Sequence, residues 1–156
     1  MFNRLFPKSF DNEYQGSKIA LWLFGVVLIV KTGISLGCIF NGRVAASSAD
    51  GIPLDTFPAL AAQAVISLFA LWGVTFLMIS LVCVLVLIRY RSMIPFMFAL
   101  LLVEHLSRRL ILQFLPIVRT GTPPGFYINL GLSIAMIVGL ALSLWRVPMR
   151  NAQQPI

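Results

Sequence analysis

The sequence predicts an all-α integral membrane protein, a bundle of four transmembrane helices with both termini on the cytoplasmic side, and three observations carry the prediction. Hydrophobic residues make up 59% of the 156 and charged residues 11%, against about 25% charged in an ordinary soluble domain. A soluble chain of this size leaves much of its surface facing water and has nowhere to hide so much apolar area. The apolar residues also gather in four runs, 18–40, 62–88, 93–115 and 126–145, each 20 to 27 residues long, where a bilayer span needs about 20. Finally, Arg4, Lys8, Lys18, Arg89, Arg91, Arg146 and Arg150 flank the runs on one side, and only Arg43 and Arg119 lie in the opposite loops. That asymmetry is the positive-inside pattern. It places residues 1–17 and the tail 146–156 in the cytoplasm and suits a plasma (inner) membrane protein.

Taken in order, residues 1–17 mix Phe2, Leu5, Phe6 and Phe10 with Arg4, Lys8, Asp11 and Glu13. Aromatic and basic residues together suit the headgroup layer, so this segment reads as a cytoplasmic interfacial one. Run 18–40 has Lys31 within it and no small-residue cleavage site after it, which distinguishes it from a removable signal peptide. Ser35-Leu36-Gly37-Cys38 faintly resembles a lipoprotein cleavage box, but Ser stands where that family usually has Leu, and the segment reads as an uncleaved anchor. Residues 41–56 form the longest external loop. Thr56 before Phe57-Pro58 reads as a helix N-cap with proline just inside.

Run 62–88 is the most uniformly apolar and should face lipid over much of its surface. Arg89-Tyr90-Arg91 closes it, and the link to run 93–115 is so short that the two helices are expected to be antiparallel neighbours. Pro116 and residues 119–125 break the chain on the external side. Run 126–145 follows, with Phe126 and Tyr127 at its outer end and Trp145-Arg146 at its inner end as interfacial anchors.

The third run carries the chemistry. Glu104, His105, Arg108 and Arg109 fall within an arc of about 140° at 100° per residue, so one face is polar. Each central charge costs about 2.5 to 3.5 kcal/mol to insert, and each Leu, Ile, Phe or Val offsets about 0.3 to 0.6. The 13 such residues in 93–115 offset about 4 to 8 kcal/mol against about 7 to 10 for three charges, so this helix needs partners. Lys31 is one: it lies about 14 Å inside the outer end of its run and Glu104 about 16 Å inside its own. Lys31, Glu104, His105, Arg108 and Arg109 therefore constitute either a structural ion network or a site for an anionic, lipid or quinone-like ligand, since intramembrane ionisable residues are functional candidates by default.

Several chemistries find no support. His105 is the single His, so one chain offers neither bis-His haem nor a zinc set; no metal or cofactor is expected, and no catalytic residue is assigned. Cys38 and Cys83 differ in depth and read as buried free thiols. The net charge of +7 follows from topology and anionic-lipid contact, with no basic solvated face for nucleic acid. Small residues recur every four positions at Gly131, Ala135, Gly139 and Ser143, and at Gly33 and Gly37, a spacing that lets helix backbones approach. These faces suggest packing within the chain, or against a second copy or a membrane-protein partner. The function expected first is thus a non-catalytic accessory, assembly or scaffold subunit. A transporter or ligand-binding protein built on the third-run cluster is the alternative, and a membrane enzyme acting on a lipid-like substrate is the second alternative.

Overall fold

The computed structural model describes Leu5, Asp11, Asn12, Tyr14 and residues 16–145. The expected cytoplasmic tail 146–156 and most of the interfacial segment 1–17 lie outside the described residues, with Arg4, Lys8, Arg146 and Arg150. The described chain is all helix and turn, without strands. Its four long helices are α1, Lys18–Phe40; α2, Ala59–Arg89; α3, Ile94–Phe114; and α4, Pro124–Leu144. Three of them, α1, α2 and α4, are long and apolar enough to cross a membrane. Helix α3 has 21 residues, enough for a span by length, but it carries Glu104, Arg108 and Arg109.

The helix ends follow from local chemistry. The Ser17 hydroxyl accepts the Ile19 N–H at 3.3 Å and caps α1. Pro95 and Pro124 sit in the first turns of α3 and α4, where a missing N–H is harmless. Helix α2 departs from expectation: Leu54–Thr56 forms its own 3-10 turn, the Thr56 hydroxyl donates to Pro53 O at 2.8 Å, and Pro58 holds the N-cap position of a helix that starts at Ala59. The threonine is thus committed to the turn before it. The loop after α1 is itself folded, with a helical turn at Gly42–Val44 and a π turn at Ala45–Ala49.

Hydroxyls within the helices bond to their own backbone. Ser35 donates to Lys31 O, and Ser133 to Asn129 O, each at 2.8 Å. Where no water is available, such bonds satisfy groups that would otherwise be stranded. The outward faces are apolar: Trp22, Ile29, Leu71 and Ile88 are all exposed. Patches of this extent are stable against lipid and not against water.

Packing is uneven. Helix α1 packs most extensively on α2 and then on α4, and α3 packs on α4. Helices α2 and α3, joined by only Tyr90–Met93, touch little. The short link makes them antiparallel neighbours, as the sequence implies, and they share the core near the link through Cys83, Val86, Ile94 and Met97, but their contact is the least extensive of the adjacent pairs. Around the assembly the order is therefore α2, α1, α4, α3, with an open seam between α3 and α2.

The main core lies toward the end that carries the α2–α3 link, around Phe24, Val27, Ile94, Phe98, Leu101 and Met136. Phe24 and Phe98 meet edge to face with centroids 5.0 Å apart, a preferred aromatic geometry. A second, smaller cluster of Cys38, Ala46, Ile52, Leu54 and Phe69 occupies the opposite, loop end.

Candidate functional site

Lys31 is 8% exposed, and its Nζ lies 3.0 Å from Glu104 Oε2, joining α1 to α3. The same carboxylate receives Arg108 one turn along α3. Arg108 Nη2 donates to Oε2 at 3.3 Å, while Nε stands 2.6 Å from Oε1 as an ion pair. One carboxylate thus serves two cations.

Aromatic rings of α2 supply the rest of their environment. The Arg108 guanidinium lies 4.3 Å from the Phe76 centroid and 5.1 Å from that of Trp72, and Lys31 Nζ is 5.5 Å from Phe76. A cation over a ring face is attracted by the ring quadrupole, about 2 kcal/mol or more where water is excluded. These contacts are what bridge the seam between α2 and α3. Trp72 and Phe76 are not legible as site residues in the sequence. Their i, i+4 spacing on the helix that lacks internal charge is the one signal that they share a face.

Above this network, toward the loop end, lies a cavity of about 540 Å³, within the usual size of small-molecule sites. Its polar lining includes His105, Arg108, Arg109, Arg119, Asp50 and Asn129, and its apolar lining includes Phe69, Trp72 and Leu112. His105 is 3% exposed, and neither ring nitrogen has a hydrogen-bond partner among the described residues. Leaving a buried polar group unsatisfied costs about 1 to 3 kcal/mol. The ring therefore has unused donor and acceptor capacity facing the cavity. Arg109 is exposed, with its guanidinium 5.9 Å from the Phe126 ring.

The folded loop roofs the cavity. Thr120 donates to Gly51 O through both its N–H (2.9 Å) and its hydroxyl (3.1 Å). Gly51 adopts φ +73°, and a Cβ there would press on Pro123. Gly125 admits Ala49 O so closely that an added Cβ would stand 2.5 Å from it. Asp50, at the end of the π turn, lies among the lining residues. Burial pushes its carboxyl above the usual range, and Arg119 and then Arg108 oppose that shift.

The predicted small-residue face divides. A Cβ on Gly139 would collide with the Phe98 ring, so this glycine lets α3 and α4 close on one another. Ser143 is buried and Ala135 half-buried. At Gly33, Gly37 and Gly131 an added Cβ would meet nothing within 4 Å. These three do not mediate close packing within the chain: Gly33 and Gly131 are exposed on the outer faces of α1 and α4, and Gly37 borders the cavity. The tightest α1–α2 approach is instead at Gly73, whose Cβ would stand 2.8 Å from Ser35 O and 2.9 Å from the Cys38 side chain. Cys38 and Cys83 are both buried and free. Among the described residues no three His, Cys, Asp or Glu side chains converge on a metal-sized site.

No protein-family model, curated protein or solved structure matches this chain.

Proposed function

We propose that this chain is a four-span protein of the plasma (inner) membrane, with cytoplasmic termini, that binds an anionic, lipid-like ligand in the cavity between its helices. The observation that carries the reading is the roofed, cation-lined cavity of about 540 Å³ with an unsatisfied His105 in its wall. Residues 45–51 and 120–125 cover part of the loop end, and the α2–α3 seam faces the bilayer, so an amphiphile enters laterally from lipid with its headgroup toward the exposed Arg109 and Arg119. Helix α3 counts as the fourth span because Glu104 and Arg108 pair and Glu104 also holds Lys31, which offsets much of the insertion cost of these charges. Ligand-binding and transport both use such a site. The network of Lys31, Glu104 and Arg108 forms its floor, and Arg109 and His105 form its wall.

The test is purification in mild detergent followed by native mass spectrometry. An amphiphile retained at near one per chain, and lost on His105→Leu together with Arg109→Gln, is the expected result. A chain that emerges bare from mild detergent in every preparation would sink the reading.

A second reading, a non-catalytic accessory or scaffold subunit, is favoured by the bare outward glycines Gly33 and Gly131. Exposed small residues at helix surfaces allow another helix to approach. A stoichiometric protein partner in the same preparation, displaced by Gly131→Leu, would support it.

A further inference from the structure

Charge counting around the cavity narrows the ligand beyond the general reading just given, on which this inference rests. Four cations, Lys31, Arg108, Arg109 and Arg119, stand in or beneath the cavity against two carboxylates, Glu104 and Asp50. The surplus is two positive charges, and of the four cations Arg109 and Arg119 are exposed while Lys31 and Arg108 pair with Glu104. A cleft lined by charges of one sign concentrates ions of the other, so the ligand that suits the cavity is one that brings close to two negative charges. A phosphodiester headgroup carries one. A phosphomonoester carries about −1.5 to −2 at neutral pH and presents three strong acceptor oxygens.

The donors fit that group. Arg guanidinium forks match phosphate oxygens in bidentate fashion. Arg109 is free of carboxylate partners among the described residues, held only over the Phe126 ring, and lies about 8 Å inside the loop end of α3. His105, nine-tenths buried and more, adds an imidazole N–H with no other acceptor to serve. Asn129 and Gln113 add amide donors. The apolar part of the wall includes Phe69 and Ile34 on the α1 side, and Trp72 of α2 and Leu112 of α3 on the two helices that border the seam. We propose that the cavity is selective for a phosphomonoester lipid, its phosphate between Arg109, Arg119 and His105 and its acyl chain leaving through the α2–α3 seam past Trp72.

The geometry supplies its own reporter. The chain has three tryptophans, Trp22, Trp72 and Trp145. Trp22 and Trp145 are 78% and 71% exposed on the outer surface, whereas Trp72 lines the cavity. The full chain carrying Trp22→Phe and Trp145→Phe, in a non-ionic detergent, would be titrated with three probes. These are phosphatidic acid and phosphatidylcholine with brominated chains, and a short-chain benzoquinone.

Quenching of Trp72 by the phosphomonoester lipid at a concentration at least ten-fold lower than by phosphatidylcholine is the expected result. Arg109→Gln should abolish that preference. Arg109→Lys, which keeps the charge and loses the fork, should retain part of it. Equal quenching by the two lipids would overturn the headgroup assignment while leaving a lipid-binding cavity in place. Quenching by the quinone with neither lipid active would likewise overturn this inference and leave the cavity a ligand site. If no probe quenches Trp72, both this inference and the binding reading fail.

Discussion

The ammonium of Lys31 and the carboxylate of Glu104 meet 3.0 Å apart across 73 residues of sequence, and Arg108 shares the same carboxylate. This sharing makes the three positions unequal. Lys31→Met leaves Glu104 paired with Arg108 and should be the mildest change. Glu104→Leu strands two cations, and breaking a buried pair costs about 3 to 5 kcal/mol, an upper bound here because the Glu104 side chain is 21% exposed. The double variant leaves one stranded cation and should fall between the two. Thermal unfolding in detergent would give the order, and equal, additive losses from the two single changes would show that no network couples them.

Gly139 and Gly131 share a helix face eight residues apart, yet their substitutions should differ sharply. Gly139→Leu drives a side chain into the Phe98 ring, and overpacking of this kind costs about 1 to 3 kcal/mol or more. Gly131→Leu meets open space and should leave the unfolding temperature nearly unchanged. Leu132→Ala should destabilise instead, since Leu132 is buried against the core. Equal unfolding temperatures for Gly139→Leu and Gly131→Leu would contradict the α3–α4 packing described above.

Orientation is open to direct measurement. Ser48 is exposed in the loop between α1 and α2, and Arg91 is exposed in the α2–α3 link. Both native cysteines are buried, so single added cysteines would dominate labelling. In intact cells an impermeant thiol reagent should modify Ser48→Cys and spare Arg91→Cys. The reverse pattern would invert the proposed topology.

Tyr14 provides a pH dependence. Burial raises its phenol from 10.0 to about 12, and its hydroxyl has no hydrogen-bond partner among the described residues. The unfolded chain therefore releases this proton first. The stabilising effect is complete below pH 10.0 and is lost as pH rises from there toward about 12. Between pH 9 and 11 the wild-type chain should lose more stability than Tyr14→Phe, and near neutrality the variant should be no less stable. Parallel losses for the two proteins would show that Tyr14 does not titrate in this way.

The helical class, the four long elements and their ends to within a few residues were legible in the sequence, because apolar runs of span length between turn residues constrain a chain locally. Lys31 and Glu104 were also legible as partners, since a charge in an apolar run needs a counter-charge and rise per residue places both at one depth. Which face of each helix meets which neighbour was not. Periodicity marks Gly131 and Gly139 alike, but only the rotation of α4 against α3 decides that one receives Phe98 and the other faces outward. Chain connectivity implied that α2 and α3 are neighbours, but not that α2 would pack far more extensively on α1 and leave a seam beside α3. The cavity lies deeper still: its wall draws on Trp72, Asp50, Arg119 and Asn129, residues distant in sequence with no shared motif. A local pattern reports what one segment requires, and a cavity exists only as the space that several packed segments leave between them.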